Sequence, residues 1–266
     1  MVSSGEFRFP LARRPDVIIG CGRRCADSLD FPIVMAFQPI IDAQLRRIHG
    51  YEALVRGSNG ESAAAVIGKI DEPSLYSFDQ ACRVLAIRSA MELGLDRRLT
   101  INFFPRAIYH PESCLRLTLE AAAKYGLPLD RITFEFTENQ QVLDHGHLKA
   151  IVETYRHHGF QTALDDFGAG FAGLSMLANF QPDVLKLDRA LISRIDESPA
   201  RQAILAGVQV IAERLGLGLM AEGVERIEEF RLLEAAGIRY FQGYLFAKPE
   251  VDRLFRDNEI PWPYPL

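Results

Sequence analysis

The sequence is poor in the features that would take it out of the ordinary globular class. Four cysteines in 266 residues are too few and too scattered for a disulfide framework. Cys21 and Cys25 form the short CGRRC motif, but a structural zinc site wants four Cys or His ligands at tighter spacing, and no histidine lies near this pair. They read as reduced thiols. No apolar run approaches the roughly 18–20 residues that cross a bilayer, and the stretch from Phe31 to Phe37 is short and broken by Pro32. The opening MVSSGEFRFPLARRP has arginines and prolines but no apolar segment followed by a small-residue cleavage site. No membrane insertion and a cytoplasmic location are therefore expected. An excess of basic residues is also missing: 30 Lys and Arg stand against 35 Asp and Glu, a net charge of −5, which excludes a nucleic-acid polymer as the natural partner. What is present is 48% apolar and 24% charged residues, enough to exclude disordered and fibrous chains. The length suits one barrel-sized domain that needs no covalent staples.

Residues 1–30 carry Arg13, Arg14, Arg23 and Arg24 without hydrophobic periodicity and read as an N-terminal arm or short cap. From 31 to 250 strand-like and helix-period segments alternate, and 251–266, with its PWPYP motif, reads as a C-terminal tail. IVMAFQPII (33–41) and RIHGYEALV (47–55), joined by a short polar turn, predict an antiparallel pair. After helices over 63–70 and 78–93, strands are expected at 99–104, 132–137, 160–165, 183–188, 218–224 and 239–246. Helices are expected between them at 114–126, 146–158, 199–215 and 227–236. Strands alternating with helices pair in parallel through crossovers, which predicts an α/β fold. The expected architecture is a modified (β/α)8 TIM-type barrel whose opening hairpin contributes one antiparallel strand.

Each apolar strand carries one polar side chain near its C-terminal end: Glu52, Asn102, Glu135, Asp165, Lys186, Glu222 and Gln242, about 32 residues apart on average, one βα unit each. A single carboxylate there usually caps the next helix. One per strand points instead to convergence at the barrel mouth, where barrel enzymes keep their active sites. With Asp166, Glu138 and Glu225 nearby, the mouth crowds carboxylates against one lysine, a group that cannot stay ionised together without cations. Oxygen donors without Cys or His select Mg²⁺ or Mn²⁺. Adjacent Asp165 and Asp166 suggest a ligand shared by two ions, the clamp used for in-line attack on phosphodiesters, with Lys186 orienting the nucleophile or neutralising charge at phosphorus. Three glycines in DDFGAGFAG (165–173) suit a loop that approaches a ligand closely.

YEALVRG (51–57), with its Glu52-Ala53-Leu54, resembles the signature of EAL-type cyclic-di-GMP phosphodiesterases. FQPII, NFFP, FEFTE, DDFGAGFAGL, KLD, AEGVE and QGYLFAKP are similar to that family's successive motifs, in the same order, over about residues 33–249. The resemblance implies hydrolysis of cyclic-di-GMP to linear 5′-pGpG with two Mg²⁺ or Mn²⁺ ions in a cytoplasmic homodimer. It implies Glu52, Asn102, Glu135 and Asp165 as ligands of one ion, and Asp165, Asp166 and Glu222 as ligands of the other. By the same resemblance Lys186 contacts the attacking water, Glu225 and Gln242 support it, Glu138 steadies the glycine-rich loop, and Gln38 and Arg56 contact substrate. Two departures are visible: the segment after Arg56 is shorter than in many members, and NFFP replaces an Asn-x-Ser-type sequence. Two other readings stay open: a catalytically silent cyclic-di-GMP receptor of the same fold, and an enolase-like barrel in which the lysine abstracts a carbon-bound proton.

Overall fold

The computed structural model describes residues 31–137, 145–170 and 173–262. Cys21, Cys25 and Glu138 lie outside the described residues. The opening hairpin joins β1 (Ile33–Asp42) and β2 (Arg47–Gly57) antiparallel, from Ile33 opposite Gly57 to Asp42 opposite Arg47, with one register shift between Ile40 and Ile41. Two helices, α1 (Ala63–Ile67) and α2 (Leu75–Glu92), lead into β3 (Arg98–Asn102). Then α3 (Pro111–Tyr125), β4 (Ile132–Thr137), α4 (His145–His157), β5 (Gln161–Phe167), α5 (Gly173–Asn179) and β6 (Val184–Leu187) follow. The chain continues through α6 (Arg189–Ile192), α7 (Pro199–Leu215), β7 (Gly218–Ala221), α8 (Ile227–Ala235), β8 (Tyr240–Phe241) and β9 (Glu250–Val251). Strands β2 to β8 are parallel neighbours, and β8 closes the barrel on β1 through Ile41–Phe241 and Asp42–Tyr240. No helix among the described residues is long and apolar enough to cross a membrane.

The helices begin and end where local chemistry stops or starts the ladder. In α7 the Ser198 hydroxyl accepts the Arg201 N–H, Pro199 sits where a missing donor costs nothing, and Gly216 takes the left-handed cap. The final strand is shorter than the expected 239–246: beyond Phe241 the chain turns against the loop after β7, the Gln242 carbonyl accepting the Val224 N–H at 3.1 Å and the Val224 carbonyl the Leu245 N–H at 3.0 Å, and Gly243 fits there because a Cβ would lie 2.1 Å from the Val224 carbonyl oxygen. At the other end, Gly50 lets β2 approach β3: a Cβ would sit 2.6 Å from the Arg98 carbonyl oxygen.

Outside the barrel wall, Phe103, Phe134, Tyr155 and Phe160 pack with ring centroids 4.8–6.1 Å apart, tying α4 to β3 and β4. Residues 250–262 are strapped across hairpin and barrel floor. β9 adds to β1, the Tyr51 hydroxyl donates to the Phe255 carbonyl, Asp257 accepts the Ile48 N–H at 2.7 Å, and Ile260 is buried. Trp262 has its ring centroid 6.4 Å from that of Phe246.

Candidate active site

Because side chains alternate across a strand, the barrel wall aims every second residue inward. Two positions before the first five polar residues stand Gly50, Thr100, Thr133, Ala163 and Val184, mostly small groups, with the larger Met220 and Tyr240 before Glu222 and Gln242. The polar residues themselves meet above them. Lys186, 1% exposed, stands at the centre: its Nζ lies 2.5 Å from Glu222, 2.7 Å from Glu135, 3.3 Å from Asp165 and 3.7 Å from Glu52. The Asn102 amide nitrogen donates to Glu52 at 2.9 Å and Glu135 at 2.8 Å. The Gln242 amide donates to Glu52 at 2.8 Å and Gln38 at 3.2 Å, and Gln38 in turn donates to the Ala247 carbonyl at 3.0 Å. Every strand of the closed barrel thus supplies a group to the cluster, directly or from the residue just past its end.

β5 and β6 shift register between Leu164 and Phe167, around the aspartate pair. Asp166 sits there at φ +56°, in the left-handed region that Asp tolerates better than most residues, and its N–H donates to the Asp165 carboxylate at 2.8 Å. The irregularity turns both aspartates toward the mouth. Asp165, Asp166 and Glu222 can each bring one oxygen within 4.8 Å of the others.

The cluster is electrostatically unbalanced. Burial, with Glu52 next to it, pushes the Glu135 carboxyl well above its ordinary range, and burial with Asp165 does the same to Glu222. Burial acts to raise Asp165 too, but the ammonium of Lys186 keeps it below the usual carboxylate range. Burial, Asp165 and Asp188 lift Asp166 to about 6. Burial alone would lower Lys186, yet the surrounding carboxylates hold it well above an ordinary lysine, so it is protonated. Fully ionised, the five carboxylates against one ammonium would carry four negative charges, the number two divalent cations would neutralise. Together with the all-oxygen donor set, this fits hard divalent ions. Among the described residues, Asp165, Asp166 and Glu222 form the group whose oxygens could hold one ion together.

Two of the expected residues stand apart. Glu225 is 41% exposed at the rim and pairs with Arg189 at 2.8 Å, while Arg189 also donates to the Gly223 carbonyl at 2.7 Å. Arg56 lies two pleats beyond Glu52 on the same face of β2, and its described hydrogen bond goes to the neighbouring Val55 carbonyl at 2.8 Å. It has no ion pair among the described residues.

Sequence reading missed a buried pair behind the site. Asp79 and Arg83 on α2 lie 2.7 Å apart at 1% and 0% exposure. Arg83 also donates to the Tyr155 hydroxyl at 2.8 Å and its guanidinium lies 4.9 Å from the Phe134 ring centroid. Asp79 accepts the Phe104 N–H at 2.9 Å, fixing the chain two residues beyond Asn102. The D-x3-R spacing inside the apolar FDQACRVLA run was the available signal. Next to this pair a cavity of about 400 Å³, lined by Phe78, Cys82, Phe104 and Ile67, opens onto Glu52 and Asn102.

Comparison with known proteins follows this geometry. A c-di-GMP-bound crystal structure of a standalone versatile EAL protein from Vibrio cholerae O395 shares 51% identity at a TM-score of 0.84, over 86% of this chain and 97% of that one. A manganese/cy-diGMP complex of Klebsiella pneumoniae BlrP1 shares 35% identity at a TM-score of 0.78, over 84% of this chain and 57% of that one. Among curated relatives, the blue light- and temperature-regulated antirepressor BluF of Escherichia coli is 33% identical over 90% of this chain and 59% of its own length. The cyclic di-GMP phosphodiesterase PA2567 of Pseudomonas aeruginosa is 29% identical over 84% of this chain and 39% of its own length. The chain thus spans less than two thirds of the curated relatives' length. The profile of the EAL domain matches residues 31–249, a stretch that holds all eight strands of the closed barrel. The chain belongs to the EAL domain family.

Proposed function

We propose that this chain hydrolyses one phosphodiester bond of cyclic-di-GMP to give linear 5′-pGpG, using two divalent ions, Mg²⁺ or Mn²⁺. The observation that carries the reading is the convergence of five carboxylates, Asn102 and a protonated Lys186 at one end of the barrel. The c-di-GMP complexes of structural relatives, one with manganese, support substrate and ion class. In the reaction a water oxygen bonds to phosphorus, the bond to the 3′-oxygen breaks, and that oxygen leaves with a proton as the 3′-hydroxyl. Glu52, Asn102, Glu135 and Asp165 would hold one ion, and Asp165, Asp166 and Glu222 the other. Ions bound there would supply a more acidic water and neutralise charge at phosphorus. Lys186 has its proton and therefore donates to the attacking water or to a phosphoryl oxygen; it is a poor general base. Gln242 and Gln38 keep Glu52 oriented, and Arg56 would meet a phosphate of the substrate. Glu225 acts from the rim through Arg189, and Glu138 belongs to the loop-steadying role its motif implies. Pairing of two copies through barrel helices completes the reading.

Glu52→Ala tests the reading. It removes a ligand at the centre of the network and is expected to abolish product formation with Mg²⁺ or Mn²⁺ present. Ca²⁺ should occupy the site without turnover, because its longer and looser coordination spoils the in-line geometry. Product formation by Glu52→Ala at near the unmutated rate would overturn the assignment. The antirepressor relative favours a second reading, a binding-only module. In that case the unmutated protein would bind cyclic-di-GMP and release no product.

A further inference from the structure

At the opposite end of the barrel the chain gathers positive charge that its composition does not favour. The register shift in the hairpin pairs Ile40 with Gly50 and Ile41 with Ile48, skipping His49, whose ring then sits 4.5 Å from that of Tyr240. Below it Arg47, Arg97, Arg98 and Arg131, together with His49 and Asp96, line an open cleft of about 420 Å³. Most acids around this floor are already committed, and the exposed Asp130, whose charge favours the Arg98 guanidinium, has no ion pair with it within 4.0 Å. Asp42 accepts two bonds from Arg239, at 3.0 and 2.6 Å. Asp257 accepts Arg97 at 2.9 Å, and Asp96, on the rim, lies 3.3 Å from the same Arg97. Arg98 has no carboxylate within 4.0 Å among the described residues, although it is half-buried, and its hydrogen bond is a long one of 3.3 Å to the Thr133 hydroxyl. The Arg131 guanidinium reaches the Asp96 carbonyl at 3.0 Å, leaving most of its donors open, and Arg47 has neither an ion pair nor a side-chain hydrogen bond among the described residues. A guanidinium drawn out of water without an anion is costly. The field is felt by its neighbours: burial, and then Arg98, push His49 down to about 4.

We propose that this floor cleft is a binding site for a phosphate-bearing anion, with Arg98 at its centre and Arg47 and Arg131 at its sides. The planar fork of a guanidinium matches phosphate oxygens, and the volume accommodates a nucleoside diphosphate as well as inorganic pyrophosphate. The site lies away from the carboxylate mouth and stands or falls independently of the hydrolytic reading.

Calorimetry on the full chain in chelator, at fixed ionic strength, tests it with pyrophosphate and GDP as separate probes. Without ions the carboxylate mouth repels both. Submillimolar binding of pyrophosphate is expected, weakened by about tenfold or more in Arg98→Gln and by about threefold in Arg47→Gln. GDP binding more tightly than pyrophosphate would mark a nucleotide site, and equal affinities a site for the phosphate groups alone; either result supports the proposal. Should Arg98→Gln fail to fold, Arg131→Gln, at the cleft surface, must weaken pyrophosphate binding by about threefold. No heat from either probe at millimolar concentration, or affinities untouched by these substitutions, would overturn the proposal.

Discussion

Lys186 is the residue on which electrostatics and chemistry meet. Its ammonium, within 3.7 Å of four carboxylates, offsets part of their repulsion and, in the proposed reaction, acts on water or phosphate. Interactions made mainly in the transition state lower kcat when removed and leave ground-state affinity largely intact. Lys186→Ala is therefore expected to lose at least about 10²-fold in kcat. Cyclic-di-GMP affinity, measured by calorimetry with Ca²⁺ present, should change by less than about tenfold. Affinity falling in parallel with rate would make the lysine a substrate-binding group instead. The polar members of this cluster were legible because charge at the end of an apolar strand has few structural explanations, and one per strand has fewer. Asp166 was legible as a residue but not as a conformation: nothing in DDFGAG states that the register shifts there or that the second aspartate adopts positive φ. The separation of Glu225 from the cluster depends on Arg189, 36 residues earlier in the chain, and sequence order does not reveal that pairing.

At the scale of elements, α2 does more than cover the barrel. Its Asp79–Arg83 pair ties the helix to α4 through Tyr155 and to the end of β3 through the Phe104 N–H. Removing one partner of a buried pair strands the other, at a cost of about 3–5 kcal/mol. Asp79→Ala should lose stability on that scale in urea unfolding, whereas a loss under about 1 kcal/mol would mean the pair is incidental. The elements themselves were read well where capping chemistry is local. Ser198, Pro199 and Gly216 bracket α7 at 199–215, the range expected from the sequence. They were read less well where contacts distant in sequence matter, as where the chain turns at Gly243 against Val224 and the last strand ends at Tyr240–Phe241. The segment after 250, expected as a tail, packs by contacts to Tyr51 and Ile48 that lie about 200 residues away in sequence.

For the molecule as a whole, the two ends of one barrel carry opposite charge, a mouth of carboxylates and a floor of arginines, and each end sets its own pH behaviour. His49 at the floor is held down to about 4, against about 6.5 for a free histidine. Between those values the unfolded chain binds a proton that the folded chain refuses, so stability is full above about pH 6.5 and falls as the pH drops toward 4. The loss over that window is about 3 kcal/mol, and His49→Gln should abolish it. Urea midpoints at pH 7 and pH 4.5 for both proteins check this; equal slopes would contradict it. At the mouth, the charge imbalance is the reason for expecting ions and hence catalysis. The most direct test is cyclic-di-GMP turnover by the chelated protein as Mn²⁺ is titrated back, with the product identified by chromatography. The account predicts no product in chelator and, once both ion positions fill, linear 5′-pGpG as the product; undiminished turnover in excess chelator, or nucleotide binding with no product at saturating Mn²⁺, would contradict it.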